Sequence, residues 1–598
     1  MKHPYLVTAG AVIVVGAAAA GAWVYTHYLQ TELLGAMVIN DLKSAGAPAG
    51  TLTTELNPDW KATAPAPATP AAAPAPTAAD NEWPSYNKTL TSERFSSLAE
   101  INTQNVSKMK VLCAYDTHER TSFQSGLIMV NGALIGTTQH SIFSLDPSNC
   151  HENWRTHVAS PPSLLSASRG AAYMEGVLFR GADDGRVLAY DFKTGKELWA
   201  TSIADPKKGE SIPAAAIAYD GLVFIGVAGG DYKGVKGRMY ALDAKTGKVV
   251  WEFYLVPKQA GDPERGPQAP SPLDTSTWTN GPGTPISGGG AWTSYSLDPT
   301  TGELFVPVGN PSPDFALGPR DGENLYTGSI LVLDAKTGAY KTHFKLVPKD
   351  WHDWDASNPP ALIQTAGGKK LMVTSPKDGH LYGFDRATSA LLYRVPVTKI
   401  ENVDQPFTVG KAVHFCPGGG GGAEWNGPAY NPTNNLIMIG EVQWCDTVRV
   451  QSDKEIEAVK DGTPWAGNDM LNPLNAFGRF SKADGHWAGW VHAVDADTGV
   501  WKWRVKTNYP ILSGMTPTGG GLVFFGDTGG NFYALDGASG QKLWSQKFKG
   551  AIGGGVITYA AGGSQKVAVA AGMTSPAWPV PSDTAQVIIM GLGPAGGQ

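Results

Sequence analysis

The chain is short of charge, of cysteine and of long apolar runs. Lys, Arg, Asp and Glu together make up 17% of its 598 residues, against roughly 25% in soluble domains generally. Its 47 basic and 53 acidic residues leave a formal charge of -6. No basic run carries interleaved aromatics, which gives no reason to propose nucleic acid as a partner. A Walker-type phosphate loop is also missing. The glycines at 418–422 are not followed by Lys-Ser/Thr and read as a backbone-permissive loop. There is no Cys-x-x-Cys-His, so these residues attach no c-type haem and any electrons released must go to a separate acceptor. After residue 83 no stretch holds a long 3.6-residue period, which leaves little room for helix.

The single long apolar run is at the N-terminus. Lys2 and His3 precede an uncharged segment, 5–25, rich in Val and Ala. As a helix it would span about 31 Å, enough for a bilayer core. Ala18-Ala19-Ala20 also offers a small-residue cleavage site. Residues 1–30 are thus a signal peptide or a membrane anchor, and either places the rest outside the cytoplasm. Residues 31–82 read as a tether, because 64–79 is nearly all Ala, Pro and Thr and such a stretch cannot bury a core. The folded body is expected over 83–598.

What is abundant is Gly (73) and Trp (19), and both belong to a repeat. One phrase, GVLFRGADDGRVLAYDFKTGKELW, ends at Trp199. Another, GLVFIGVAGGDYKGVKGRMYALDAKTGKVVW, ends at Trp251, and a third, GGLVFFGDTGGNFYALDGASGQKLW, ends at Trp544. Each reads as a short apolar strand, a Gly/Asp turn, an alternating strand, an Asp-x-x-Thr/Ser-Gly turn and a strand ending in Trp. Weaker copies centre on Asp146, Asp334, Asp385 and Asp495. Together with a blade closed by the two ends of the chain, these turns predict an all-β, eight-bladed propeller of four-stranded antiparallel blades. The repeat tryptophans are expected to dock on the next Asp-x-x-Thr-Gly turn and to be structural.

Function has to be sought where the repeat breaks. Three segments do so: 229–237 (GGDYKGVKG), 304–315 (LFVPVGNPSPDF) and 351–360 (WHDWDASNPP). Asn310 and Asp355 are 45 residues apart, about one blade, which would put them at similar radial positions on adjacent blades. Oxygen ligands converging from several loops suit a hard cation such as calcium.

Four motifs, GGGAWTSYSLDP, FVPVGNPSPDF, DGENLYTGSILVLDAKTG and VPKDWHDWD, occur in the order and spacing of the quinoprotein alcohol dehydrogenases. The chain resembles that family, which includes the methanol dehydrogenase large subunit and the polyvinyl-alcohol dehydrogenases, from about residue 83 to 594. The resemblance implies a periplasmic enzyme that uses pyrroloquinoline quinone (PQQ) and Ca2+ to oxidise an alcohol or a sugar hydroxyl. It further implies transfer of electrons to cytochrome c or another separate acceptor. By position Asn310 matches a metal-ligating asparagine and Asp355 the catalytic aspartate, itself a metal ligand. Asp231 stands where the family has a glutamate ligand. Lys377 in SPKDGHLYGFD matches the basic residue at the quinone oxygens, Arg169 in SASRGAAY an arginine near the cofactor carboxylates, and Trp292 the indole against the quinone.

The chain departs from the family at Gln124, where glutamate is common, at Glu424 in place of asparagine, and at Leu512 in place of tryptophan; it has no adjacent cysteine pair. His352 and Asp353 read as exposed loop residues or support. Ser357 stands where the lanthanide-using branch carries a second aspartate, which favours a divalent ion. Cys416 and Cys445 match a paired set in the family, and Cys113 with Cys150 is the pair that remains by count. The non-enzyme alternative is a propeller scaffold for outer-membrane protein assembly, which shares the turns and the docking Trp.

Overall fold

A computed structural model describes residues 51–60, 78–160, 167–273, 275–468, 479–480, 487–575, 578, 580–581 and 583–593. The expected 1–30 leader and the Pro/Ala-rich 64–77 lie outside the described residues. Seven four-stranded sheets and one five-stranded sheet, all antiparallel, make the eight blades. In chain order the blades span 128–157, 172–202, 217–254, 296–345, 361–396, 429–507 and 516–547. The eighth is built from Ala551–Ala561, Ser564–Met573 and Gln586–Leu592, and the strand Met109–Asp116 pairs along its outer edge. The two ends of the body therefore meet in one blade, as the repeat count required. Cys113 in that closing strand is bonded to Cys150 at the turn of the first blade.

Adjacent blades share apolar layers. Phe179 and Val187 of the second blade pack with Val223 and Tyr240 of the third in one buried cluster. At the rim Trp154, Trp199 and Trp251 dock as their position predicted. The indole Nε1 of Trp154 donates to Phe192 O, that of Trp199 to Ala244 O and that of Trp251 to Ala335 O, each at 3.0 Å. Where a glycine closes the turn, the aromatic ring on top of it dictates that residue. A Cβ on Gly540, which has φ +71, would lie 2.7 Å from Trp503 Cε3. The aspartate opening each turn fixes its shape, as when Asp243 Oδ1 accepts from Thr246 N at 2.8 Å and Thr246 Oγ1 at 2.7 Å.

Two features go beyond the repeat. Leu52–Leu56, inside the stretch read as a tether, is a strand paired with Trp501–Thr507 at the outer edge of the sixth blade. Its TLTTEL sequence has the β-branched content that the Ala/Pro run lacks. The sixth blade also carries an insertion between Leu436–Gln443 and Ala488–Asp495. It contains the helix Asp453–Ala458, started by a Ser452/Glu455 capping box. Cys445 at the root of this insertion is bonded to Cys416 in the connection from the fifth blade.

Candidate active site

The expected site residues come from two kinds of loop on one face of the ring. Asp231, Asn310 and Lys377 follow the second strands of the third, fourth and fifth blades (Leu222–Val227, Glu303–Val308 and Lys370–Thr374). Arg169, Trp292 and Asp355 lie in the connections that lead into the innermost strands of the second, fourth and fifth blades. Asn310 and Asp355 are thus not equivalent by blade, as their spacing had suggested; the counterpart of Asn310 is Lys377. They still meet, because the connection into the fifth blade crosses the tip of the fourth-blade hairpin. All six residues line one cavity of about 610 Å³.

At its floor Asp355 Oδ1 accepts from Asn310 N at 2.9 Å, and Asp355 Oδ2 is 2.7 Å from Lys377 Nζ. Close approach of the strand end explains Gly309, where a Cβ would lie 2.8 Å from Asp355 Oδ1. Burial works against the Lys377 ammonium, yet Asp353, Asp355 and Glu424 outweigh it and hold the lysine pKa well above its ordinary value. Arg169 Nη1 donates to Trp292 O at 2.7 Å. Its guanidinium carbon is 4.7 Å from the centre of the Trp292 ring and 5.2 Å from that of Trp425. Burial lowers the Arg169 pKa to about 10, which leaves it a cation at neutral pH. Burial also pushes Asp231 up to about 6, with the Asp355 charge adding to the effect.

The loop carrying Asp355 differs from its expected character. His352 and Asp353 are buried rather than exposed, each at 2%. Asp350 shapes the turn by accepting from His352 N at 2.9 Å and Trp354 N at 3.0 Å. His352 stacks on Trp354 with ring centres 4.0 Å apart, and burial drops its pKa to about 3, so it is a neutral packing ring. Asp353, at φ +64, turns its carboxylate inward. Carboxylate oxygens of Asp231, Asp314 and Asp353 lie within 4.8 Å of one another. Asp314 and Asp353 were not picked out as site residues from the sequence; the one available signal was that both sit inside the repeat-breaking segments. Their presence also weakens the expectation of a divalent ion drawn from Ser357, since it adds carboxylates beside Asp231. Ser357 is fully buried and donates to Ala423 O at 2.5 Å.

The other departures fall into two groups. Gln124 and Glu424 line the cavity, and burial pushes Glu424 up to about 7. Leu512 is buried in the cluster that holds Trp425, Trp444 and Trp578. The sixth-blade insertion clasps the Asp231 loop. Trp465 N donates to Asp231 O at 2.7 Å, and Lys233 Nζ donates to Glu457 O at 2.7 Å and Val459 O at 2.9 Å.

A flat, polyanionic quinone fits what these residues offer. Two buried cations, Arg169 and Lys377, face a cavity walled by the Trp292 and Trp425 rings. Arg169 Nε and Gln124 Oε1 are buried without hydrogen-bond partners inside the protein, a cost that a polar ligand would relieve. The carboxylates beside them suit a hard cation.

Comparison with known proteins agrees. A family model described as the glucose/ethanol/alcohol dehydrogenase β-propeller domain, of PQQ type, matches residues 83–409. A second model, for the outer membrane protein assembly factor BamB, matches 488–578 only, a stretch made of the turns and docking tryptophans common to such propellers. Quinohemoprotein alcohol dehydrogenase ADH-IIG of Pseudomonas putida is 30% identical over 531 residues, 83% of this chain and 73% of that protein. The lanthanide-dependent methanol dehydrogenase of Methylacidiphilum fumariolicum (strain SolV) is 29% identical, over 80% of this chain and 82% of its own. The solved structure of ADHIIG from Pseudomonas putida HK5 superposes with a TM-score of 0.76 at 26% identity, covering 87% of this chain and 82% of that one. The chain therefore belongs to the PQQ-type glucose/ethanol/alcohol dehydrogenase β-propeller family.

Proposed function

We propose that this protein is a PQQ-dependent dehydrogenase that oxidises an alcohol outside the cytoplasm, with Asp355 as the general base. The observation that carries the reading is the convergence of Arg169, Asp231, Trp292, Asn310, Asp355 and Lys377 on one cavity in a chain of this family. When bound, the quinone supplies a two-electron acceptor and the cation a Lewis acid beside it.

The protein's own residues do the rest. Trp292 and Trp425 provide flat apolar walls, and Arg169 anchors carboxylates between them. Lys377 Nζ, 5.7 Å from the Trp292 ring centre, would offer positive charge to electron-rich oxygens of a bound quinone. Asp355 takes the hydroxyl proton of the substrate as hydride leaves the adjacent carbon. Its carboxylate is oriented through both oxygens, by Asn310 N and Lys377 Nζ. The buried site keeps bulk water away from the transfer.

The cation we assign is calcium, for which the resemblance implies Asp231, Asn310 and Asp355 as the ligand set. Electrons pass to a separate carrier such as a cytochrome c, since the 598 residues contain no haem-attachment motif. Two disulfides among the described residues support an oxidising, periplasmic compartment. No described helix is long and apolar enough to cross a membrane. A sugar hydroxyl is the competing substrate class.

The test is reconstitution with PQQ and calcium, then a panel of alcohols and sugars with an artificial dye acceptor. Dye reduction with at least one alcohol, dependent on quinone and cation together, is the expected outcome. Failure to bind quinone, or turnover without it, overturns the reading.

A further inference from the structure

The resemblance gives the cation Asp231, Asn310 and Asp355, but in this chain both carboxylate oxygens of Asp355 already have partners. Asp355 uses Oδ2 for Lys377 at 2.7 Å and Oδ1 for the Asn310 amide at 2.9 Å. The side-chain nitrogen of Asn310 donates to Asp314 Oδ1 at 3.0 Å. Next to them stands a different set of acids. Asp231, Asp314 and Asp353 bring one carboxylate oxygen each to within 4.8 Å of one another, and Asp314 and Asp353 are 4% and 2% exposed.

Three carboxylates packed this closely repel one another unless they take up protons or something positive joins them. The nearest protein cation does not serve all three. Lys377 Nζ is 2.7 Å from Asp355 Oδ2 and forms a longer ion pair, 3.7 Å, with Asp353 Oδ2, so Asp353 shares that charge without a hydrogen bond to it. Asp353 Oδ2 is buried with no hydrogen-bond partner. An acceptor of that kind, aimed into a group of acids and facing a cavity, is what a cation would satisfy.

The surrounding structure holds each member in place. Asp314 is fixed through Oδ1 by Asn310 Nδ2 and by Ser312 Oγ at 2.8 Å. Asp353 is turned inward by the Asp350-capped turn at φ +64. Asp231 is held through its carbonyl by Trp465 N from the sixth-blade insertion.

We propose that the cation of this enzyme is held by the Asp231, Asp314 and Asp353 carboxylates, and that Asp355 is not one of its principal ligands. The inference rests on the dehydrogenase reading. Asn310 then acts as a positioning residue for Asp314. Asp355, paired with Lys377, is left to act as the base. A three-carboxylate cage also needs no quinone oxygen to hold its ion, so it binds a hard di- or trivalent cation in quinone-free protein.

The experiment uses full-length protein stripped with a chelator and titrated without quinone. Calcium is followed by calorimetry, and terbium by luminescence sensitised through nearby tryptophans such as Trp354. The expected result is one ion per chain. Asp314→Asn and Asp353→Asn are each expected to weaken binding at least tenfold for both ions, as Asp231→Asn does. Asp355→Asn is expected to stay within about threefold of the unmutated protein. Using both asparagine variants keeps the test decisive if one fails to fold, as judged by thermal unfolding. Unaltered binding in Asp314→Asn and Asp353→Asn, or a tenfold loss in Asp355→Asn, overturns the proposal. Quinone binding, read on the same preparations by visible absorption, reports separately on the dehydrogenase reading.

Discussion

Lys377 Nζ sits 2.7 Å from Asp355 Oδ2, so the residue assigned as base and the residue assigned to the quinone oxygens form one buried ion pair. The two come from different loops of the fifth blade. Lys377 is on the hairpin after Lys370–Thr374, Asp355 is on the connection that enters at Ala361, and Lys377 N donates to Asp355 O at 3.1 Å. The roles proposed for them, proton acceptance and charge stabilisation, would therefore share one rigid unit and separate only by mutation.

Asp355→Asn should retain cation and quinone binding but lose turnover by about 10²–10⁴-fold, the usual worth of general-base help. An amide keeps the shape of the carboxylate and cannot take the hydroxyl proton. Steady-state dye reduction with the best alcohol checks this, and an unchanged rate removes Asp355 from the role.

Lys377→Ala should act on stability as well as on activity. Asp353 and Asp355 would be left as buried carboxylates without their cation, a change that costs about 3–5 kcal/mol when one partner of a buried pair is removed. Urea unfolding of the quinone-free protein measures it, and saturating calcium should restore part of the loss.

Glu424 gives the ligand-free protein a pH dependence. Burial, the largest influence, raises its pKa to about 7 in the folded chain, above the usual value of about 4.3. The folded state therefore favours the neutral acid. That stability is fully present below the unfolded pKa and is lost as pH rises through about 7. Melting temperatures between pH 5 and 8 should fall with pH, and the fall should be smaller in Glu424→Gln. Equal slopes in the two proteins would remove Glu424 as the source.

Gly540→Ala tests the docking contact. The residue sits at φ +71, and the added Cβ would meet the Trp503 indole at 2.7 Å. Strain and overpacking together should lower stability by about 2–4 kcal/mol. Alanine at Gly132, which has φ +76 and no atom near the added Cβ, isolates the backbone part and should cost less.

The architecture was legible because each blade writes the same physical demands into the chain. The Asp243 and Thr246 side chains, the glycine and the terminal Trp251 each satisfy a contact that recurs from blade to blade, so the repeat survives as text. Asp231, Asn310 and Asp355 stood out for a related reason, since they lie where that text breaks, whereas Arg169, Trp292 and Lys377 came only from the family resemblance. Asp314 and Asp353 were missed because convergence in space leaves no mark in spacing. Asp231 is 83 positions from Asp314 and 39 further from Asp353, and only the folded ring brings them together. His352 and Asp353 read as exposed loop residues or support because they are polar and lie in a connection. The Asp350 turn buries both by folding the loop inward. Leu52–Leu56 was hidden by the low-complexity run beside it.

Closure of the eighth blade by the Met109–Asp116 strand, with Cys113 bonded to Cys150, has a consequence for how the molecule comes apart. A linear repeat array frays from its terminal units, which have one neighbour each. A sealed ring has no outermost unit, and every blade is flanked on both sides. Slow amide exchange should therefore be spread evenly around the circle, with no weak sector at either chain end from which unfolding begins.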